Sequence, residues 1–149
     1  MNNKKELYEK IKEFDPKNEI VKIDLSKNTI EYNKRIVKLH REVMELTSEE
    51  IVRAFLVLKL IRKLGYSKEH SIQLEKEYTM GRDPSKGARV DILLTKNEEP
   101  FAMFELKSPE EYEIEMDNAI KNQLFEVAEK ADAQASHSEV FNILYCVCI

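Results

Sequence analysis

Three side chains in one short stretch are of types that do chemistry together. Asp91 lies in the apolar run Arg89-Val90-Asp91-Ile92-Leu93-Leu94, and Glu105 and Lys107 lie in Phe101-Ala102-Met103-Phe104-Glu105-Leu106-Lys107. Both runs have strand composition. Strand side chains alternate faces, so Glu105 and Lys107 project from the same side. Between the runs, Lys96-Asn97-Glu98-Glu99-Pro100 has turn composition. A hairpin centred near Glu98 sets Asp91 opposite Glu105, because the two are equidistant from position 98. Two facing carboxylates destabilise a sheet, and apolar surroundings disfavour their charged forms. A divalent cation relieves both penalties. Hard ions such as Mg²⁺ accept one or two carboxylates and keep several waters. Such an ion can activate water and stabilise a leaving oxygen, while a lysine beside it orients the water or offsets charge on a phosphate. The constellation therefore predicts metal-assisted hydrolysis of a phosphodiester.

An Asp/Glu-x-Lys triplet alone carries little weight, since the chain has a second one at Asp15-Pro16-Lys17. That copy reads as a turn. The bland reading of Asp91, Glu105 and Lys107 is a charge cluster on a solvated edge, and their apolar neighbours argue against it.

The elements that must position these residues follow from the patterning. Residues 5–14 place Leu7, Ile11 and Phe14 on one helical face. Residues 20–25 and 29–32, joined by Ser26-Lys27-Asn28, form a predicted hairpin, and residues 35–46 are ambiguous between extended and helical. Thr47-Ser48-Glu49-Glu50 carries the capping-box pattern. It opens a helix, apolar on most sides, that ends near Arg62, Lys63 and Gly65. Such broad hydrophobicity implies packing against a sheet. Residues 71–79 alternate as a strand, with Gln73, Glu75 and Glu77 on the polar face; 80–88 form a loop; 111–129 are helical; 141–149 form a last strand. The order predicts an α/β (α+β) fold, a mixed β-sheet flanked by helices with an N-terminal helix and β-hairpin.

The 149 residues suffice for one domain with a proper core, and 42% hydrophobic with 35% charged residues suits a globular protein. No apolar stretch reaches membrane-spanning length and the start does not resemble a secretory signal, so a cytoplasmic location with no membrane is expected. A net charge of −4 argues against strong autonomous nucleic-acid binding. If DNA is the substrate, partners are expected to deliver it. Cys146 and Cys148 share one strand face and read as buried packing, since a lone Cys-x-Cys is not a zinc site. His40, His70 and His137 show no ligand spacing, and no Gly-x-x-x-x-Gly-Lys-Ser/Thr occurs, so no ATP site is expected. A strand running to Ile149 without a polar cap suggests a domain that continues into a longer chain.

Asp91, thirteen intervening residues and then Glu105-Leu106-Lys107 resemble the PD-(D/E)XK nuclease motif. Residues 35–39, 46–53, 64–66, 89–92 and 104–108 together resemble the amino-terminal nuclease domain of type I restriction enzyme R subunits. The resemblance covers the chain from about Lys34 onward. It implies a restriction-endonuclease-like fold over residues 47–149, with 1–46 as an N-terminal extension. It also implies Mg²⁺-dependent cleavage of double-stranded DNA, for which Mn²⁺ is a possible substitute. The implied partners are a helicase-like motor downstream and the methylation and specificity subunits. Carried over, Asp91 and Glu105 become metal ligands, the Leu106 carbonyl a further ligand and Lys107 the catalytic lysine. The family's Gln-x-x-x-Tyr motif is half present, with Gln123 in place but Val127 where the tyrosine stands. Gln123 suits contact with substrate or with the lysine, and equally a helix surface.

Glu50 suits two roles: the capping-box carboxylate, which explains it without function, or a further metal ligand, since related nucleases use a glutamate from this helix. Glu75 and Glu77 suit a solvated face or the metal cluster. Arg89 and Lys86 suit a DNA backbone or the balancing of local acid. Two alternatives to the restriction endonuclease stay open: a non-catalytic assembly module on the same fold, and a stand-alone repair or recombination nuclease.

Overall fold

The computed structural model describes residues 2–38, 43–66, 70–79, 87–107 and 143–147. Helix α1 spans Asn2–Phe14 and begins earlier than its apolar spacing requires, but it buries the expected Leu7 and Ile11. Strands β1 (Val21–Asp24) and β2 (Thr29–Tyr32) form the expected antiparallel hairpin, with Val21 opposite Tyr32. The ambiguous stretch resolves into two short strands, β3 (Val37–Lys38) and β4 (Val43–Glu45). They go to different sheets. β4 joins β2 in a three-stranded sheet ordered β1-β2-β4.

The second sheet positions the site. It comprises β3, β5 (His70–Thr79), β6 (Gly87–Lys96), β7 (Glu99–Leu106) and β8 (Ile143–Val147), in the order β3-β5-β6-β7-β8. The pairs β5-β6 and β6-β7 are antiparallel, while β3-β5 and β7-β8 are parallel. This is a mixed sheet in an α+β fold, as expected. Ile92, Leu94, Ala102, Phe104 and Leu106 belong to the main core; Leu93 and Met103, at the intervening positions, are buried too. Both faces of the central strands are thus shielded from water, which explains why these runs are continuously apolar.

Helix α2 spans Ser48–Arg62. Its N-cap is Thr47, whose side chain accepts the Glu50 N–H at 3.1 Å. At its far end Gly65 takes a left-handed φ of +71°, and the Tyr66 N–H folds back onto the Leu60 carbonyl at 3.0 Å. The helix is buried from Glu50 to Leu58 because it lies between α1 and the sheet. Phe14 of α1 stacks on Phe55 at 5.7 Å between ring centroids. One core cluster joins α1, the first hairpin, α2 and the larger sheet. No helix among the described residues is long and apolar enough to cross a membrane.

The second Asp-x-Lys triplet is structural. Asp15 is buried and accepts the N–H groups of Glu19, Ile20 and Val21 at 2.8–2.9 Å, tying the end of α1 to the start of β1.

Candidate active site

The turn between β6 and β7 is tighter than its composition suggests. Only Asn97 and Glu98 lie between the paired residues Lys96 and Glu99, and both have positive φ, 52° and 72°. This is the geometry that two-residue hairpins favour, because its twist matches the flanking strands. Alone, such a turn would shift the pairing by one and turn Glu105 away from Asp91. A β-bulge corrects the shift. Thr95 pairs with Pro100 but Leu94 pairs with Ala102, leaving Phe101 as the extra residue. The pairing then runs through Leu93-Met103 to Ile92-Phe104. One further step in that register would set Asp91 opposite Glu105, the arrangement expected from the sequence, but the ladder stops at Ile92-Phe104.

Regular pairing between β6 and β7 ends at Ile92-Phe104, although β6 stays paired with β5 through Val90 and beyond. The Asp91 carboxylate takes over at the end of the ladder: its Oδ2 accepts the Leu106 N–H at 2.7 Å. A strand residue presents its N–H and C=O to the same neighbour, so the Leu106 carbonyl leaves the strand on the Asp91 side. Lys107 follows directly, its Nζ 3.3 Å from Glu105 Oε1. Asp91, Glu105 and Lys107 are all buried, at 5%, 8% and 9% exposure, which excludes the solvated-edge reading. Burial first, and the Asp91 charge second, push the Glu105 carboxyl up to about 7; Lys107 offsets part of that rise.

Around this trio the structure adds residues that the sequence did not single out. Arg53 of α2 is buried, and its Nη2 lies 2.8 Å from Asp91 Oδ1 and 3.0 Å from Glu49 Oε1. Its Nη1 pairs with Glu50 Oε2 and lies 3.9 Å from Glu75 Oε1. The other Glu50 oxygen accepts the Tyr32 hydroxyl at 2.6 Å. Burial would favour loss of the Arg53 proton, but the charges of Glu50 and Asp91 outweigh it and hold the guanidinium firmly protonated. Burial raises the Glu50 carboxyl despite Arg53 beside it. The Tyr32 hydroxyl is pushed well up, by burial first and then by Glu50. Arg53 had a sequence signal: it is a charged residue inside an apolar helical run, three and four places after Glu50 and Glu49. Tyr32 had none.

Two readings of acidic residues change accordingly. The capping box is half formed: Thr47 caps the helix, but the Glu50 carboxylate goes to Tyr32 and Arg53, and the Thr47 N–H bonds the Glu45 carbonyl instead. Glu75 is not on a solvated face. Its φ of 52° interrupts the β5-β6 ladder between Leu74-Ile92 and Lys76-Val90, and its carboxylate lies 3.3 Å from Arg89 as well as near Arg53. Its register position is the one opposite Asp91, so Glu75, Asp91 and Glu105 occupy one row across three adjacent strands. Arg89 balances local acid through Glu75, whereas Glu77 is exposed. Gln123, Val127, Lys86 and Cys148 lie outside the described residues, as do the helix expected at 111–129 and residues 80–86 of the loop expected at 80–88; Gly87 and Ala88 instead open β6, paired with Thr79 and Tyr78 of β5. Cys146 lies in β8, opposite Glu105 of β7.

The donor set suits a hard divalent ion on two counts. The ligating atoms present are carboxylate and carbonyl oxygens. Among the described ion pairs, five carboxylates (Glu49, Glu50, Glu75, Asp91, Glu105) face three cations (Arg53, Arg89, Lys107), an excess of two negative charges when all are ionised. No three acidic, histidine or cysteine side chains among the described residues are grouped to hold an ion as a set. The fit is therefore to an ion on two carboxylates and a backbone carbonyl, completed by water.

A family model described as Type I restriction enzyme R protein N terminus matches residues 48–148, roughly two thirds of the chain. The match takes in α2 and β5 to β8, and therefore Glu50, Arg53, Asp91, Glu105 and Lys107; Tyr32 falls before it. No curated protein matches the chain.

Proposed function

Because this chain belongs to the family of type I restriction enzyme R protein N termini, and so to restriction systems, we propose that it is the system's metal-dependent endodeoxyribonuclease domain. The observation that carries the proposal is the burial of Asp91, Glu105 and Lys107 together where β6 and β7 part. Burying two acids beside each other is costly unless a ligand uses them. Asp91, Glu105 and the Leu106 carbonyl would hold Mg²⁺, with Mn²⁺ as a substitute. When bound, the ion supplies Lewis-acid charge to the scissile phosphate. The Lys107 ammonium, held beside Glu105, donates to the attacking water or to the oxygens on which charge develops. The Leu106 N–H fixes the Asp91 carboxylate so that it need not reorganise. Gln123 is proposed as a further contact to substrate or to Lys107.

The net charge of −4 leaves little electrostatic attraction for a phosphate backbone. Sequence recognition and DNA delivery are therefore assigned to partners, the methylation and specificity subunits and a helicase-like motor. The test is cleavage of double-stranded DNA by the assembled restriction complex carrying Asp91→Ala or Lys107→Ala. Both variants should assemble and fail to cut; cutting at the wild-type rate by Lys107→Ala would refute the mechanism. If neither the wild-type chain nor its Asp91→Asn variant takes up Mn²⁺ at millimolar concentration, the domain is an assembly module instead.

A further inference from the structure

The two oxygens of Asp91 face different surroundings. Oδ2 faces the Leu106 N–H, on the strand that carries Glu105 and Lys107. Oδ1 faces the Arg53 guanidinium, which also reaches Glu49, Glu50 and Glu75. On the Oδ2 side the acids retain lone pairs for a ligand. On the Oδ1 side they converge on a cation that is already part of the chain. Nucleases that use two ions hold them about 3.5–4 Å apart, on either side of a shared carboxylate. Asp91 has the position of such a shared carboxylate, and Arg53 stands on one side of it.

From this we infer that Arg53 is a tethered cation in the place of a second divalent ion, so that the site takes one ion, on the Oδ2 side of Asp91. The inference rests on the metal-dependent reading proposed above and adds the stoichiometry. Three observations support it. Arg53 is 2% exposed, yet its Nε–H is buried without a hydrogen-bond partner among the described residues. Its two Nη atoms donate to Glu49, Glu50 and Asp91, while the Nε–H is a buried donor kept at a desolvation cost. What the position keeps is the charge. Glu50 also turns one oxygen to Arg53 and the other to Tyr32, which groups it with the arginine's partners on the Oδ1 side of Asp91. Finally, a guanidinium that touches several carboxylates fixes their separation, leaving Asp91 positioned before any ion arrives. Arg53 is thus a positioning residue for Asp91.

The experiment is equilibrium dialysis with Mn²⁺, with electron spin resonance to detect coupled ions, on the wild-type chain and on Arg53→Gln and Arg53→Lys. The wild type should take up one ion per chain and show no spin coupling. Arg53→Gln, which removes the charge but keeps much of the volume, should take up two coupled ions. Arg53→Lys, which restores a charge, should return to one. Two ions in the wild type, or a single ion at unchanged affinity in Arg53→Gln, overturns the inference while leaving the metal-dependent reading intact. No uptake by the wild type removes that reading, and the stoichiometry with it. Should Arg53→Gln fail to fold in chelator, the inference requires that Mn²⁺ restore folding with two ions bound. A chain that stays unfolded in millimolar Mn²⁺ overturns it.

Discussion

In the metal-free protein, Glu105 should make stability fall as pH rises through neutrality, and Glu105→Gln should remove that dependence. Burial and the neighbouring Asp91 charge raise its carboxyl from 4.5 to about 7. Between those values the folded chain keeps a proton that the unfolded chain has released. The folded state therefore binds more protons in this window, and stability declines with increasing pH. The gap corresponds to roughly 3 kcal/mol, fully developed above the folded value. The Glu50 carboxyl is also raised and adds a decline of the same sign, so the informative quantity is the difference between wild type and variant. Glutamine keeps an acceptor for Lys107 but carries no charge. Urea unfolding in chelator at a series of pH values from 4.5 to 8 measures both curves. The wild type should lose up to about 3 kcal/mol more than Glu105→Gln across that range, and curves that run parallel would refute the burial argument. Saturating Mg²⁺ should reverse the wild-type trend, because an ion on Glu105 competes with the proton and stabilises the folded state by mass action.

Three further outcomes test the local structure. Asp15→Ala leaves three backbone donors around the α1-β1 junction without their acceptor and should cost about 2–4 kcal/mol in urea unfolding; a cost near zero would mean that water replaces the carboxylate. Glu98→Gly should stabilise the hairpin by up to about 1 kcal/mol, because φ of 72° strains any residue with a Cβ, and a lower melting temperature would contradict that turn geometry. Thr47→Ala removes the acceptor for the Glu50 N–H and should cost about 1 kcal/mol, read as a shifted denaturation midpoint at unchanged slope.

The features legible in the sequence are those governed by nearby residues. The α2 boundaries follow from the Thr47 cap, the apolar run and Gly65. The first hairpin follows from alternation around a polar turn. Asp91, Glu105 and Lys107 meet because they lie on one hairpin, where chain connectivity fixes the pairing. The turn is shorter than its composition suggests, yet the bulge at Phe101 restores, from Leu94-Ala102 to Ile92-Phe104, the register that a two-residue turn would have shifted. The register was also constrained from elsewhere: a slip by one residue would have turned either Ile92 and Leu94 or Ala102 and Phe104 out of the main core.

Only the tertiary structure decided what surrounds the trio. Arg53 and Asp91 are 38 positions apart, and Tyr32 and Glu50 are 18 apart; no periodicity relates such pairs. They meet because α2 is packed between α1 and the sheet with its first turns at the place where β6 and β7 part. The destination of the Glu50 carboxylate was decided the same way. Its position suited a capping box, but buried partners were within reach, and in a low-dielectric interior an ion pair with Arg53 and a hydroxyl from Tyr32 outweigh a cap hydrogen bond. The sequence by itself thus determined which residues could do the chemistry, because neighbours in a hairpin cannot avoid one another. Packing alone determined the charges that those residues feel, because a buried electrostatic environment is assembled from side chains distant along the chain.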